Sequence, residues 1–277
     1  MPELPEVETI RRSLIKKIDK MVISEIIVCH PDVLLNYGDF DLKNWQIINI
    51  KRRGKYLLFD LKSTEDNSNK MLMMIHLRMT GKLLLEEKGT SPAKHTHVRF
   101  LLEDGSFLDF NDVRRFGRVK LFKPGHEIED KGFRTLGPEP LGDDFTLEYF
   151  LKESKRRPRS TIKSFILNQQ VIAGIGNIYA DESLFRAKIK PDNLVGEISK
   201  DKLTSLHQAI REIIEEAIGH RGTSFRDYVD GLGNKGFFQL KLAVYQKEDE
   251  PCQICETKIE KIKVAGRSTH YCPNCQK

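Results

Sequence analysis

Four of the five cysteines fall in two pairs, Cys252-Gln-Ile-Cys255 and Cys272-Pro-Asn-Cys275, with sixteen residues between the pairs. Each Cys-x-x-Cys turn points two sulfurs at one spot, and two such turns at this separation supply the four thiolates of one tetrahedral zinc. Disulfide frameworks belong to secreted chains. The acidic, proline-bearing start Met1-Pro-Glu-Leu-Pro-Glu6 has neither the basic region nor the apolar run of a signal peptide. One structural zinc and a cytoplasmic location are expected. Cys29 follows the alternating run Val22–Val28 and reads as a buried strand thiol.

The same start offers a second chemistry. Removal of Met1, favoured before a small residue, would expose Pro2 as a secondary amine. A terminal amine titrates near ~8, so much of it is neutral and nucleophilic at physiological pH. With an aldehyde-like carbon, a secondary amine gives an iminium that has no N–H to lose and therefore stays an electron sink. Glu3 and Glu6 flank it, and one of them can serve as general acid. The competing reading is a plain helix start, with acids at the positive end of the helix dipole.

Basic residues recur in clusters: Lys51-Arg-Arg-Gly-Lys55, Arg114-Arg-Phe-Gly-Arg118, Lys155-Arg-Arg-Pro-Arg159 with Lys163, and Lys258, Lys261, Lys263 and Arg267. Single clusters are usually solvated faces. Arginine interleaved with phenylalanine is also what a nucleic-acid groove with a stacking wedge uses. Ala173-Gly-Ile-Gly-Asn-Ile-Tyr179 is a glycine-rich entry to a helix, where Asn177 either caps the helix or meets a phosphate. His76 alternates with apolar neighbours, Met79 is a core residue by default, and His95 with His97 suits phosphate contact better than metal.

These residues need elements to place them. Val7, Ile10, Leu14 and Ile18 recur at helical spacing over 6–18, with Pro5 in the first turn. Period-two segments follow at Val22–Val28, Ile47–Arg52, Tyr56–Leu61, Met71–Leu77, His97–Leu102, Ser106–Phe110 and Val119–Phe122, a pattern that predicts a β-sandwich. After the turn-rich Leu136–Gly142 the chain becomes helical, at Leu147–Ser154, Thr161–Gln169, Ile178–Ala187 and Lys200–Gly219. A strand is expected at Gln239–Tyr245, then a zinc hairpin. The fold class is α+β and multidomain: residues 1–135, 145–222 and 237–277 form a β-sandwich with an N-terminal helix, a helical domain and a β-hairpin zinc finger. With 277 residues, 39% hydrophobic, the chain has ample core, and Lys plus Arg exceeds Asp plus Glu by 46 to 40. The longest uncharged stretch, Ser164–Ala180, carries Asn, Gln and Gly, which argues against a membrane span.

Taken together, the motifs resemble the bacterial formamidopyrimidine-DNA glycosylase family. Those that carry the resemblance are Pro2-Glu-Leu-Pro-Glu-Val-Glu8, Arg52-Arg-Gly-Lys55, His76-Leu-Arg-Met79, Lys94-His-Thr-His97, Asp112-Val-Arg-Arg-Phe-Gly117, Leu136-Gly-Pro-Glu-Pro140, Gly174-Ile-Gly-Asn-Ile-Tyr179 and Val264-Ala-Gly-Arg267. The resemblance implies a monomer acting on oxidised bases in double-stranded DNA, with a helix–two-turn–helix domain and the zinc finger helping to grip it. By the same resemblance Pro2 attacks C1′, Glu3 assists sugar-ring opening, Glu6 supports, Lys55 donates a proton during β-elimination, and Arg267 holds a phosphate and assists δ-elimination. His76, His95, Arg159, Lys163 and Asn177 look like DNA contacts. Met79, Arg114 and Phe116 would fill the hole left by an extruded base, with Arg114 facing the estranged cytosine. The stretch Arg221–Gly236, including Thr223 and Tyr228, would cover that base. The alternatives are a Nei-type enzyme for oxidised pyrimidines, a non-catalytic zinc-finger DNA-binding protein and a zinc-ribbon RNA or ribosome factor.

Overall fold

The computed structural model describes residues 1–38, 40–224 and 228–277. They form two compact units, Met1–Arg134 with His220–Phe237, and Thr135–Gly219 with Phe238–Lys277.

The first unit opens with α1 (Leu4–Ile18), whose Val7, Ile10, Leu14 and Ile18 are buried as their spacing requires, and which has a proline in its first turn. The strands are β1 (Val22–Val28), β2 (Leu34–Leu35), β3 (Lys43–Arg53), β4 (Tyr56–Ser63), β5 (Lys70–His76), β6 (Gly81–Glu86), β7 (Thr96–Leu102), β8 (Phe107–Asp112) and β9 (Arg118–Phe122), with a short α2 at Lys131–Arg134. They hydrogen-bond in the order β2-β9-β5-β4-β3-β1-β7-β8-β6.

Two connections turn this ladder into a sandwich. Residues 77–80 join β5 to β6, and residues 113–117 join β8 to β9. In a flat sheet each link would have to cross six strand spacings, about 29 Å. Four or five residues reach only about 17–20 Å. The sheet must therefore curl until its two ends face each other. One apolar cluster results, in which α1 residues meet Phe59 and Ile75 from one end and Leu83, Phe100 and Phe110 from the other.

Strands β2 and β6 are not among those expected from sequence. β2 has only two residues, and Leu83-Leu-Leu85 in β6 is a continuous apolar run rather than an alternation. Cys29 lies just past β1 and is exposed, not buried. A register shift between Ile23 and Glu25 breaks the alternation on which that expectation rested.

The second unit contains α3 (Leu147–Arg156), α4 (Ile162–Leu167), α5 (Asn177–Arg186), α6 (Lys200–Gly219) and the antiparallel hairpin β10 (Glu260–Val264) with β11 (Arg267–Tyr271). Thr146 and Thr161 cap α3 and α4 through their side-chain oxygens. In α6, Leu203, Leu206, Ile210, Ile213, Ile214 and Ala217 form the buried face. The strand expected at Gln239–Tyr245 is not formed; a 3-10 turn stands at Phe238–Leu240. The reason is Glu182 of α5. Its buried carboxylate accepts the amides of Ala243 at 2.8 Å, Val244 at 3.0 Å and Tyr245 at 2.8 Å, so those donors are not offered to a ladder. Among the described residues, no helix is long and apolar enough to cross a membrane.

Candidate active site and metal centre

Pro2, Glu3 and Glu6 are all buried at the start of α1. Glu3 is the N-cap residue and forms a reciprocal capping box with Glu6. The Glu6 carboxylate accepts the Glu3 amide at 2.7 Å through Oε2 and the Thr223 amide at 2.8 Å through Oε1. The Tyr228 hydroxyl lies 3.2 Å from the Glu6 carbonyl. Gly222, at φ +74°, passes so close that a Cβ would stand 2.6 Å from Glu6 Oε1. The two carboxyl groups thus sit at the helix start that carries Pro2, and the Thr223 amide, with Gly222 packed close, fixes the second of them. Farther along, buried Asp230 accepts the Leu232 and Asn234 amides, both at 2.9 Å, and pairs with Arg221. Residues 225–227 of the expected base-covering stretch lie outside the described residues.

Lys55 is buried in the tight turn between β3 and β4, next to Gly54 at φ +56°. Tyr56 pairs with His76 across β4 and β5, their rings 4.5 Å apart. Burial first, then the Arg78 and Lys55 cations, hold His76 down to about 3. The imidazole is therefore neutral near pH 7. Its Nδ1 accepts the Arg78 amide at 3.0 Å, which leaves Nε2–H as a donor. The motif also has a structural half. Arg52 reaches Glu8 at 3.2 Å. Burial raises the Glu8 carboxyl, but hydrogen bonds from Arg11 and Arg12 and the charges of Arg11 and Arg52 outweigh it and bring it to about 2.

The two links that close the sandwich carry Met79, Arg114 and Phe116. Met79 is 42% exposed and Phe116 50%, so Met79 is not the core residue its type suggests. The Arg114 guanidinium lies 4.8 Å over the Phe116 ring. His95 is half-buried at φ +74°. His97 is not a surface contact: it is buried, with Nε2 2.8 Å from the Asp112 carbonyl.

In the second unit, Arg159 and Arg267 are exposed. Arg267 follows Ala265 (φ +49°) and Gly266 (φ +78°) at the hairpin tip, the left-handed pair of a two-residue turn. Lys163 corrects an expectation, because it is completely buried and no phosphate can touch it. Its Nζ lies 2.6 Å from Asp181, 2.7 Å from the Thr269 hydroxyl and 3.1 Å from the Ser268 carbonyl. Asn177 Nδ2 donates to the same Ser268 carbonyl at 2.9 Å, and Asp181 accepts the His270 amide at 3.0 Å. These residues pin β11 beside Arg267. A lysine in a basic cluster looks the same in sequence whether it faces solvent or a buried aspartate.

The Sγ atoms of Cys252, Cys255, Cys272 and Cys275 lie within 4.8 Å of one another. Three of the separations are 3.4, 3.5 and 3.9 Å. A tetrahedron with Zn–S near ~2.3 Å has edges of about 3.8 Å, so the cluster fits one zinc. Hydrogen bonds from Thr257 and Asn274 hold Cys255 down to about 5, whereas burial and then the neighbouring sulfurs push Cys275 up to about 12. A dication is what lets four thiolates share this space. Gln276 anchors the second knuckle, accepting the Cys272 amide and donating to the Ile189 carbonyl, both at 2.8 Å.

Comparison with known proteins covers the whole chain. The formamidopyrimidine-DNA glycosylase N-terminal domain matches residues 1–119, its H2TH domain residues 136–229, and the zinc finger found in FPG and IleRS residues 249–277. A formamidopyrimidine-DNA glycosylase of Desulforamulus reducens is 46% identical over 100% of this chain and 99% of that protein. A Lactococcus lactis FPG mutant, solved in complex with a Fapy-dG containing DNA, superposes with a TM-score of 0.90 at 37% identity, covering 100% of both chains. The MutM (FPG) protein of Thermus thermophilus gives 0.88 at 36% identity, over 99% of this chain and 98% of that one. With motifs, fold and cysteine cluster in agreement with these likenesses, the chain belongs to the formamidopyrimidine-DNA glycosylase family.

Proposed function

We infer that this chain is a bifunctional DNA glycosylase and AP lyase of base-excision repair, that it removes oxidised purines (8-oxoguanine and formamidopyrimidines) from duplex DNA, and that Pro2 is its nucleophile. The observation that carries the reading is the buried start of α1, where Glu3 and Glu6 follow Pro2 and a distant loop holds Glu6 through a main-chain amide. A capping box uses Glu3 and Glu6 to start the helix, but it does not call on the Thr223 amide; a non-catalytic binder or an RNA factor gives that second hold on Glu6 no task.

The chemistry runs through the proline nitrogen once Met1 is gone. Its lone pair adds to C1′ as the electrons of the glycosidic bond leave with the base, and the N–H proton of the resulting ammonium passes to the departing base, so that the nitrogen regains a lone pair. Glu3 delivers a proton to the ring oxygen as the sugar opens, which leaves an iminium between C1′ and the proline nitrogen. Loss of a C2′ proton then expels the 3′ phosphate. Lys55 serves as proton donor in this β-elimination, and Arg267 holds a phosphate during the δ-elimination that follows. Extruding the base costs a few kcal/mol. Met79, Arg114 and Phe116 offset that cost by filling the vacated stack. His76 donates through Nε2–H, and His95, Arg159 and Asn177 contact the backbone. Residues 1–135 are the catalytic β-sandwich, 145–222 the helix–two-turn–helix domain and 237–277 the zinc finger, in a monomer that works on cytoplasmic, nucleoid DNA.

Single-turnover release from matched duplexes tests the substrate class. The expected order is 8-oxoguanine and formamidopyrimidine opposite cytosine well ahead of any oxidised pyrimidine; the reverse order would mark a Nei-type enzyme.

Binding measured across a salt series separates phosphate contacts from supports. Arg159→Ala and Arg267→Ala should each reduce the slope of log K against log salt by about 0.9. Lys163→Met should leave the slope intact. It instead strands Asp181 as a buried charge, a loss of about 3–5 kcal/mol of stability, which thermal or urea unfolding will register.

A further inference from the structure

Asp112 closes β8 and is completely buried. Its side chain joins the two links that carry the exposed Met79, Arg114 and Phe116. Oδ1 accepts the Thr80 hydroxyl at 2.5 Å and the Arg114 amide at 3.2 Å, and Oδ2 accepts the Gly117 amide at 2.7 Å. Thr80 Oγ1 in turn accepts the Arg114 amide at 3.3 Å, so the three groups form a closed ring. The main chain of Asp112 extends the hub. Its amide donates to the His95 carbonyl at 3.0 Å, and its carbonyl accepts the Arg115 amide at 3.2 Å and faces His97 Nε2 at 2.8 Å.

The links themselves are under tension. Arg78 and Arg115 sit at φ +55° and +54°, a conformation that costs a non-glycine residue energy unless its surroundings impose it. Gly117 must be glycine, because a Cβ would stand 2.6 Å from the Phe110 ring and 3.1 Å from Asp112 Oδ2. A carboxylate suits this place better than an amide. All three side-chain partners are donors, and the NH₂ of asparagine would face one of them.

We propose that Asp112, acting through Thr80 and the Arg114 and Gly117 amides, is the positioning residue that locks the Met79 turn and the Arg114–Phe116 loop into one rigid wedge. Without the ring each link moves separately, and the three side chains no longer enter the stack together. The proposal rests on the reading of Met79, Arg114 and Phe116 as the groups that replace an extruded base. It assigns to Asp112 and Thr80 a part in setting how fast a lesion is extruded and how well cytosine is told from adenine opposite it.

The test uses Thr80→Val, which removes one hydroxyl from a half-buried site, together with Asp112→Asn, and with Phe116→Ala and Arg114→Ala as references. Three readouts are taken: single-turnover excision of 8-oxoguanine opposite cytosine and opposite adenine, borohydride trapping on a duplex with a preformed abasic site, and the melting temperature. Thr80→Val should keep the wild-type melting temperature and abasic-site trapping, slow excision opposite cytosine by roughly ten- to a hundredfold, and narrow the cytosine-to-adenine preference. Asp112→Asn should slow excision and narrow the preference more strongly, with a lowered melting temperature because its NH₂ faces a donor, and if it does not fold, Thr80→Val alone decides. Wild-type excision and preference in Thr80→Val beside impaired Phe116→Ala and Arg114→Ala would overturn the proposal. So would an equal loss of excision and abasic-site trapping, which marks a general structural defect. Wild-type excision by Phe116→Ala and Arg114→Ala would instead sink the wedge reading on which the proposal stands.

Discussion

Glu3→Gln should lower the single-turnover release of 8-oxoguanine by roughly 10²–10⁴-fold, the contribution of a positioned general acid, while duplex affinity stays at the wild-type level. Glutamine keeps the volume of the side chain and an acceptor oxygen for the helix cap, so α1 should still begin at Leu4. What it cannot do is carry the proton. Glu6→Gln should behave differently. Both oxygens of Glu6 accept main-chain amides, from Glu3 and from Thr223. An NH₂ in that position faces a donor, so the variant should lose melting temperature as well as base release. Circular dichroism and binding on the same samples separate the two cases. Full release by Glu3→Gln would remove Glu3 from the mechanism.

Loss of one zinc ligand should have the largest effect on stability. Binding at such four-thiolate sites carries on the order of 10 kcal/mol, and that energy is folding energy. Cys255→Ser should therefore release the metal and unfold β10 and β11. The damage spreads by a definite route. Lys163 loses the Ser268 and Thr269 acceptors it uses from inside the helical unit, and Arg267 is no longer presented at the tip of a hairpin. Duplex affinity should collapse, while the melting of the N-terminal unit, whose core cluster contains none of these residues, persists. Metal analysis of the wild type should find one zinc per chain. A metal-free wild type, or a Cys255→Ser protein with wild-type affinity, would contradict this.

What could be read from the sequence was local. The zinc ligands are two short turns whose spacing is itself the signal. Helix α6 was legible because its apolar residues repeat with the helical period, and α1 because Val7, Ile10, Leu14 and Ile18 do the same. Two of the misreadings share one cause, a partner far along the chain. Lys163 sits among exposed basic residues in sequence and turns inward only because Asp181 and the β11 backbone receive it. Gln239–Tyr245 has strand-like alternation, yet the Glu182 carboxylate captures three of its amides. The contact of Thr223 with Glu6 and the hub at Asp112 left no trace of their own, since hydrogen bonds to main-chain amides put no constraint on the partner's side chain. Gly222 and Gly117 were the available hints, because a Cβ at Gly222 would collide with the Glu6 carboxylate and one at Gly117 would collide with the Phe110 ring and crowd Asp112.

In the proposed reaction the nitrogen of residue 2 forms the covalent bond to DNA. Reduction with borohydride during reaction on a duplex carrying 8-oxoguanine opposite cytosine, followed by peptide mass mapping of the adduct, tests it most directly. Intact mass should show a chain lacking Met1, one protein–DNA adduct should form per active chain and map to the N-terminal peptide at Pro2, and a variant whose proline amine is blocked should give none. An adduct on Lys55 or any other lysine, or undiminished trapping by the blocked protein, would contradict it.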